Sequence, residues 1–267
     1  MSQQAVVVIP FYKDNLTYNE TFSLEQCFNV LSDYQIIAIK PKSLDLAFVT
    51  GLYPFFEVIS FDDHYFKNIY GYNQLMLSSL FYKAFLNFEY MLIYQLDAFV
   101  FSDQLHNWCN QNYDYIGAPW LQPSENKNSL DKFILHVKSI LYRRYNISKG
   151  GVPNSKQFVK SVGNGGLSLR RVQRFYDLCI KFRALAEEYI SQAKSEFNED
   201  IFWSVAVNRR QKSLSIPPYK TALKFSIETL PELAYRLNQE QLPFGCHAWD
   251  KHIGFWRPFL QKFNYKL

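Results

Sequence analysis

The sequence predicts an α/β protein built on a Rossmann-type mixed sheet, mainly parallel in its N-terminal half and flanked by helices. Two observations lead to this prediction. Short runs of β-branched and aromatic residues alternate with segments of helical period through the first half of the chain. A strand–helix–strand order requires a crossover connection, and crossover connections join parallel strands.

The strand period and the helical period together predict the individual elements of the first half. Strands are predicted at Ala5–Ile9, Tyr34–Lys40, Phe56–Phe61 and Tyr90–Phe101, and helices at Glu20–Leu31 and Gln74–Phe88. The last strand is apolar almost throughout, as expected of a central strand that is buried on both faces.

The second half of the chain is less regular. The patterns predict a short strand and turn at Tyr113–Trp120, helices at Ser129–Tyr145 and Val172–Ala193, a loop at Asn146–Ser155 and the start of a helix at Asp200–Val207. The sequence contains no internal repeat, low-complexity segment or linker, so a single domain is expected over residues 1–267.

Composition narrows the functional classes. With 48% hydrophobic and 20% charged residues, the chain is expected to be a folded globular protein. The net charge of +5 is mild, so no nucleic acid partner is expected. The four cysteines have no CxxC spacing, and the N-terminal apolar run stops at Pro10 without a cationic start. A cytoplasmic protein without a membrane span is therefore predicted.

One residue breaks the apolar pattern of the predicted central strand. Asp97 lies in the run YQLDAFVF, near the carboxyl end of that strand, where open α/β sheets bind their ligands. A buried carboxylate costs several kcal/mol unless it is paired, hydrogen-bonded or bound to a cation. The residues alone leave these three explanations open.

Four segments combine residue types that core packing alone does not select. They are QLDAF, VGNGGLSLR, NEDIFW and PFGCHAW, which begin at Gln95, Val162, Asn198 and Pro243. Each has a structural alternative. Asp97 could accept backbone N–H groups, and the glycines could form a tight turn. Glu199 and Asp200 could complement a helix dipole, and His247 could be a hydrogen-bonded core histidine.

Taken together and in this order, the segments resemble the GT-A type of nucleotide-sugar glycosyltransferase. More narrowly, the chain resembles a bacterial glycosyltransferase-like family first catalogued as a domain of unknown function, through YQLDAFVF, YDYIGAPW, VGNGGLSLR, NEDIFW and PFGCHAW. The resemblance runs from about Ala5 to Trp249. It implies transfer of a sugar from a nucleotide-sugar donor, expected to be UDP-linked, to a hydroxyl of a glycan or lipid-linked glycan, in bacterial surface polysaccharide or lipopolysaccharide synthesis.

The resemblance also implies a divalent cation. In GT-A enzymes, a DxD motif after the central strand holds a cation that neutralises the diphosphate of the donor. The matching segment here is Gln95-Leu96-Asp97, so the first aspartate is absent. His247 matches the C-terminal histidine that completes the metal site in related enzymes. Asp97 and His247 are therefore expected to hold Mn²⁺ or Mg²⁺, although the DxD motif is incomplete.

The donor contacts implied by the resemblance follow the first strand and the DxD-like segment. Donor-binding residues are expected to be Pro10, Phe11, Tyr12, Lys83, Gln95 and Asp97. Arg170 is a further candidate for a phosphate contact. For Lys83 and Arg170, the alternative is an ordinary surface cation.

The catalytic assignment also follows from the resemblance, here to inverting galactosyltransferase-like enzymes. Asp200 is the candidate general base, and Glu199 is expected to bind a sugar hydroxyl or to support the glycine-rich loop. The reverse assignment of the two acids remains open. Acceptor contacts are expected from Asn164, Gly165, Gly166, Trp203 and Trp249, because glycine allows close backbone approach and indoles stack on sugars.

Two other classes of function remain open. The incomplete DxD favours a catalytically silent nucleotide- or sugar-binding protein of the same fold. A single-stranded RNA binder would use the aromatic residues, which are 18% of the chain, and the lysines, but the sequence contains no recognisable RNA-binding module.

The segment Ser129–Tyr145 favours a peripheral membrane contact. Its apolar residues are Leu130, Phe133, Ile134, Val137, Ile140 and Leu141, and its cations are Lys132, Lys138, Arg143 and Arg144. Together with the basic tail WRPFLQKFNYKL, a cationic amphipathic helix of this kind would suit the inner face of a membrane and a lipid-linked acceptor. The alternative is a helix that packs its apolar face on the core and leaves its polar face in water.

Overall fold

A computed structural model of the protein describes residues 3–123 and 129–266, without the side chains of Gln3, Ser129 and Lys132. The basic residue predicted at Lys132 therefore lies outside the described side chains. The strands are β1 (Gln3–Pro10), β2 (Gln35–Pro41), β3 (Glu57–Phe61), β4 (Phe88–Tyr94), β5 (Phe99–Val100), β6 (Tyr115–Ile116), β7 (Ser148–Lys149), β8 (Val152–Pro153), β9 (Leu167–Arg171), β10 (Ser226–Ile227) and β11 (Gly245–Cys246).

Helices connect and flank these strands. They are α1 (Tyr18–Val30), α2 (Ala47–Leu52), α3 (Ile69–Met76), α4 (Ser79–Lys83), α5 (Leu105–Asn110), α6 (Ser129–Arg144), α7 (Val172–Lys181), α8 (Arg183–Ser191), α9 (Glu199–Ile201), α10 (Tyr219–Phe225), α11 (Pro231–Leu237) and α12 (Ile253–Leu260). A π-helical turn, Phe202–Ala206, continues α9.

The central sheet has six strands in the order β3-β2-β1-β4-β9-β6. The first four strands are parallel, whereas β9 is antiparallel to both β4 and β6. The predicted mixed sheet with a mainly parallel N-terminal half is therefore confirmed. A smaller sheet, β10-β11-β5, lies beyond the carboxyl end of β4.

Burial on both faces explains why β1 is so apolar. Val6 and Val8 pack into the hydrophobic cluster on one face of the sheet, and Val7 and Ile9 into the cluster on the other face. All four side chains have no accessible surface. This is the alternation that a strand period of two imposes.

The predicted strand Tyr90–Phe101 is wrong as a single element. The strand β4 ends at Tyr94, and the chain turns so that the Ala98 amide donates to the Gln95 carbonyl at 2.8 Å. The following residues, β5, belong to the smaller sheet. The apolar run spans two buried strands and the turn between them, so hydrophobicity could not reveal the break.

Two predicted helices are also divided. Within Gln74–Phe88, α3 ends at Met76, and Ser78 caps α4 by accepting a hydrogen bond from the Leu80 amide at 3.1 Å. Within Val172–Ala193, Phe182 separates α7 from α8. The strand β9 directly after the glycine-rich segment was not predicted.

An insertion of residues 121–161 separates β6 from β9 and carries α6 and the β7–β8 hairpin. The hairpin occupies part of the segment that was predicted as the loop Asn146–Ser155. The base of the insertion is fixed, because Pro119 pairs with Val162 and the Trp120 amide donates to the Ser161 carbonyl at 2.9 Å. In residues 3–123 and 129–266, no helix is both long and apolar enough to cross a membrane.

Candidate active site

Asp97 lies in the turn that follows β4, at the carboxyl edge of the parallel strands. Its side chain is 33% exposed, so the carboxylate reaches the surface and is not enclosed in the core. Chain reversal at this edge directs polar side chains toward the place where open α/β sheets bind ligands. The prediction that Asp97 follows a central strand is confirmed, although the residue belongs to a turn.

His247 is brought to Asp97 by the smaller sheet. The strand β5 pairs with β11 in antiparallel register, with Phe99 opposite Cys246. The chain leaving Asp97 is therefore paired with the chain that enters His247. The His247 Nε2 atom lies 3.0 Å from Asp97 Oδ1 and 3.2 Å from Gln95 Oε1.

Glu228 holds the opposite side of the same imidazole ring. The strand β10 runs parallel to β11 with Ile227 opposite Cys246, and the His247 amide donates to the Ile227 carbonyl at 3.0 Å. This register places Glu228 Oε1 3.2 Å from His247 Nδ1. Sequence reasoning missed Glu228, whose only signal was an acid directly after Ile227.

The two carboxylates determine the charge of the ring. Burial alone would lower the pKa of His247, but hydrogen bonds and charge from Asp97 and Glu228 outweigh it and raise the pKa to about 10. Burial alone would raise the pKa of Asp97, but the hydrogen bond and charge of His247 hold it below its usual value. Without a ligand, the two carboxylates favour the protonated form of His247.

The glycine-rich segment forms the wall between the histidine and the acidic pair. The Gln95 amide donates to the Gly166 carbonyl at 2.9 Å, which extends the pairing of β4 with β9. Asn164 accepts a hydrogen bond from the Gly166 amide at 2.9 Å. A Cβ atom at Gly166 would overlap the His247 ring, and one at Gly165 would overlap Glu199 Oε1. Glycine is therefore required at both positions for the segments to approach so closely.

Glu199 is buried in an ion pair. Its Oε1 accepts a hydrogen bond from Arg170 at 2.9 Å, and the two side chains are 4% and 0% exposed. The Glu199 amide donates to Asn73 at 3.2 Å, which fixes the start of α9. Burial raises the pKa of Glu199 and the Arg170 charge opposes this. These contacts fit the expected role of supporting the glycine-rich loop better than a direct sugar contact.

Asp200 is half-buried beside this pair. Its Oδ1 accepts a hydrogen bond from the Ile201 amide at 2.8 Å. Burial, followed by the charge of Glu199 and a smaller contribution from Glu228, raises the pKa of Asp200 well above its usual value. Asp200 is thus a carboxyl group with raised proton affinity, near the His247 cluster.

An open cleft of about 520 Å³ lies in front of Asp97. This volume suits a small ligand, since ligand sites in proteins are typically about 300–1,000 Å³. The cleft is lined by Pro10, Tyr12, Lys13, Thr17, Asn19, Glu20, Gln95, Leu96, Asp97, Trp249 and Asp250. Sequence reasoning missed Lys13, a cation paired with Glu20 at 2.9 Å. The Tyr12 ring is 45% exposed and available to stack on a ligand.

Several predicted contacts are not available. The side chains of Phe11, Trp203 and Trp249 have no accessible surface, so in this conformation they present no ring face to a base or a sugar. Trp203 packs on Phe175 with ring centroids 4.6 Å apart. The Trp249 indole donates to Ser23 Oγ at 2.9 Å, although Trp249 is among the residues that border the cleft.

The two cations predicted to bind phosphate, Lys83 and Arg170, are not among the residues that line the cleft. Lys83 ends α4, just before β4 begins, and therefore lies at the end of the sheet opposite to Asp97. Arg170 is fully buried, and its guanidinium donates to Glu199 and to the Tyr82 hydroxyl, the latter at 2.9 Å. Arg170 is therefore a cation of the protein core. It is neither the surface cation nor the phosphate contact that were considered from the sequence.

Three side-chain atoms at or beside the cleft are of types that bind divalent cations. In the described part of the chain, no cluster of three or more His, Cys, Asp or Glu side chains is placed to hold a metal. However, Asp97 Oδ1 and Gln95 Oε1 both lie within 3.2 Å of His247 Nε2. Two oxygens and one imidazole suit Mn²⁺ or Mg²⁺ when phosphate and water supply the other ligands.

Comparison with solved structures defines the class of fold. The galactosyltransferase LgtC, in complex with donor and acceptor sugar analogs, superimposes with a TM-score of 0.55 at 11% identity over 91% of this chain and 86% of that chain. An active-site mutant of LgtC gives 0.54 at 12% identity with the same coverage. The fold is that of the GT-A glycosyltransferases. Mouse xyloside xylosyltransferase 1 matches at 0.48 and 10% identity over 92% of this chain and 97% of its own.

The family is shown by sequence. Residues 55–247 match the family described as "Protein of unknown function (DUF5672)", and the chain belongs to that family. The matched range contains the DxD-like segment, the glycine-rich segment, the acidic pair and His247. No curated protein sequence matches the chain significantly.

Proposed function

We propose that this protein is a glycosyltransferase that moves a sugar from a nucleotide-sugar donor, UDP-linked, to a hydroxyl group of a glycan acceptor. The observation that supports it most directly is that Gln95 and Asp97, which line a 520 Å³ cleft, both contact the buried His247 ring. A bound nucleotide would place its diphosphate at this cluster and its base between Pro10 and Tyr12, which line the same cleft.

The cation site belongs to this proposal. Asp97 and His247, with the amide oxygen of Gln95, would hold Mn²⁺ or Mg²⁺, and Glu228 would orient the imidazole through Nδ1. When bound, the cation would neutralise the charge that develops on the leaving diphosphate. Two protein groups would help to bind the nucleotide without the cation. Lys13 adds a positive charge at the cleft, and Tyr12 offers an exposed ring for the base.

Asp200 is proposed as the general base that removes the proton from the acceptor hydroxyl, with inversion at the anomeric carbon. A base works best when its pKa lies near the working pH, and burial with Glu199 shifts Asp200 upward from the usual aspartate value. Asn164, Gly165 and Gly166 would bring backbone groups close to the acceptor. The pathway, synthesis of a bacterial surface glycan on the cytoplasmic side, rests on family resemblance.

Calorimetric titration of UDP, GDP and CMP, each with Mn²⁺ and again with EDTA, tests the proposal. Metal-dependent binding of UDP alone is expected. Equal binding of UDP with Mn²⁺ and with EDTA would remove the cation site from the proposal. Absence of nucleotide binding under every condition would contradict the transferase as a whole.

The catalytic assignment is tested separately. Asp200→Asn should abolish sugar transfer while UDP binding is kept, because Asp200 is placed with the acceptor and not with the nucleotide. The anomeric configuration of the product, read by NMR, should be inverted. Unchanged turnover in Asp200→Asn, or a retained configuration, would remove Asp200 as the base.

A catalytically silent nucleotide- or sugar-binding protein of the same fold is the second candidate. It is favoured by Gln95, which stands where a second carboxylate would strengthen the cation site, and by the absence of a three-ligand cluster among residues 3–123 and 129–266. Metal-independent nucleotide binding, without hydrolysis or transfer of any UDP-sugar, would support this candidate.

A further inference from the structure

The apolar stripe of α6 faces away from the protein. Its members, here called the outer face, are Leu130, Phe133, Ile134, Val137, Ile140 and Leu141. Each is between 37% and 67% exposed. Large apolar side chains are normally exposed singly, so a row of six on one helix indicates a contact surface.

The opposite side of α6 packs on the protein. Leu135, Ser139 and Tyr142 face inward, and Ser139 is only 2% exposed. At about 100° per residue, the inward residues lie about 180° around the helix from the centre of the outer face. The contacts of the inward side include a hydrogen bond from Arg143 Nε to the Gln157 carbonyl at 3.1 Å. The alternative that the helix buries its apolar face on the core is therefore wrong.

The segment that carries the outer face is strongly basic. Residues 129–160 contain seven lysines and arginines and one aspartate, a net charge of +6, whereas the whole chain carries +5. Two copies of this segment would repel each other, so it does not suit a dimer contact. An apolar stripe on a basic helix has the composition of a helix that lies in the interface of an anionic membrane.

A cavity of about 600 Å³ adjoins the C-terminal end of α6. Its lining combines the apolar residues Leu185 and Val207 with Arg144, Arg209 and Arg210. Arg144 is held in place by donating to the carbonyls of Arg209 at 3.0 Å and Arg210 at 2.7 Å. A cationic rim over an apolar floor fits a phosphate headgroup with the start of an acyl chain.

We infer that α6 and the adjoining cavity dock this protein on an anionic lipid surface. The outer face enters the headgroup region with the helix parallel to the membrane, and the surrounding cations contact lipid phosphates. The insertion is anchored at Pro119 and Val162, two residues before Asn164. The base of the docked insertion is therefore joined directly to the glycine-rich segment.

Vesicle flotation tests the docking without nucleotide or turnover, so its result does not depend on the proposed transferase activity. The full chain is mixed with vesicles of phosphatidylcholine, or of phosphatidylcholine with phosphatidylglycerol, at low and at physiological salt. Binding is expected only with phosphatidylglycerol, and it should weaken as salt screens the cations. Absence of flotation with the anionic vesicles would overturn the inference.

Matched variants assign the binding to α6. Phe133→Ser with Ile140→Ser should lower partitioning by about tenfold or more, because two apolar side chains no longer enter the interface. Arg210→Gln should lower it by about fivefold, the effect of one interfacial cation. Phe48→Ser, at a side chain on α2 that is 76% exposed, is the control and should bind as the unmodified protein does.

Two results would contradict the assignment. Flotation of the Phe133 and Ile140 double variant at the level of the unmodified protein would exclude α6 as the docking element. A dimer in light scattering that the same double variant dissociates would assign the outer face to a second copy of the chain. Circular dichroism of each variant confirms that the fold is kept.

Discussion

The Nδ1 atom of His247 lies 3.2 Å from Oε1 of Glu228, while Nε2 of the same ring faces Asp97 at 3.0 Å. The imidazole is thus held on both edges by carboxylates from different segments of the chain. A carboxylate behind a metal-binding histidine fixes the ring and increases its basicity. In the proposed cation site, Glu228 would therefore act through His247.

Replacing Glu228 by glutamine should weaken metal-dependent UDP binding by about 10- to 100-fold, the usual effect of losing such a supporting carboxylate. The neutral amide keeps the size of the side chain but not its charge. Calorimetry with Mn²⁺ measures the change. Glu232→Gln, at an exposed position on α11, is the control. Equal affinity in the Glu228 variant would show that the ring needs no support from that side.

Gly166→Ala should displace the His247 ring, because the added Cβ would overlap Nε2. The expected result is a loss of metal-dependent nucleotide binding, with the secondary structure preserved. Gly254→Ala is the matched control, since a Cβ there meets no atom within 4 Å. A crystal structure or nucleotide titration of both variants distinguishes them, and normal binding by Gly166→Ala would contradict the geometry.

The pH dependence of transfer should reflect Asp200. Burial and the charge of Glu199 raise its pKa, so kcat/KM should rise with pH along an acid limb that lies above the ordinary aspartate value of about 3.9. Glu199→Gln removes a negative charge beside Asp200, which lowers the pKa of Asp200 and should move the limb to lower pH. A limb that does not move would exclude Asp200 as the group that titrates.

The same raised pKa has a consequence for stability, with the opposite sign to that of a paired acid. A carboxyl group whose folded-state pKa exceeds its unfolded value is destabilising when ionised. The contribution of Asp200 should therefore be most favourable at low pH, become unfavourable as the pH rises above its unfolded-state pKa of about 3.9, and reach its full size above its folded-state pKa. Comparing urea unfolding of the native protein and Asp200→Asn across this range measures it.

Arg170 and Glu199 should be strongly coupled in stability. Arg170→Met leaves a buried carboxylate without its partner and should cost about 3–5 kcal/mol in the free energy of unfolding. Adding Glu199→Gln should recover part of that loss. Arg183→Met breaks a pair that is 82% and 63% exposed and should cost about 0.5 kcal/mol or less. Urea denaturation of the four proteins tests this, and equal losses in the two arginine variants would contradict it.

Gln95→Asp should increase the affinity for Mn²⁺ in the absence of nucleotide, because a second carboxylate would face His247 Nε2 where an amide oxygen now lies at 3.2 Å. Gln95→Leu removes the oxygen and should have the opposite effect. Direct Mn²⁺ titration measures both. If neither substitution changes the affinity, Gln95 does not belong to the cation site.

The parallel half of the sheet was predictable because its strands are apolar on both faces. In Val6 to Ile9, apolar residues do not alternate with polar ones, because both faces of the strand are buried. Apolar runs of this kind that are joined by helices are typical of a parallel sheet. The break after Tyr94 was not predictable, since the turn at Asp97 lies inside an equally apolar run. Strand ends are predicted from a change in hydrophobicity along the chain, and no such change marks the end of β4.

The candidate site was predictable only in part. Asp97, His247 and the glycines were found because charged or small residues stand out in apolar surroundings. Glu228 was missed because its role depends on the pairing of β10 with β11, which lies outside local sequence. Trp203 and Trp249 were predicted to be exposed for stacking, because the sequence does not show whether an aromatic side chain points toward the core or toward a cleft.

The outer face of α6 illustrates the same limit. The period of Leu130 to Leu141 predicts an amphipathic helix, but the direction of its apolar side depends on what the opposite side contacts. Here Ser139 faces inward and the apolar residues face outward. Periodicity reports that two faces differ, and tertiary packing decides which of them is covered.

The pairing of Phe99 with Cys246 also affects the order in which parts of the protein fold. Contacts between residues so distant in sequence close late, because the chain entropy that they cost is recovered only when most of the fold exists. During synthesis, the parallel strands of the first half emerge from the ribosome well before β11 does. A nascent chain can thus hold Asp97 in its turn while His247 is still missing, and the two residues can meet only after β11 has been synthesised.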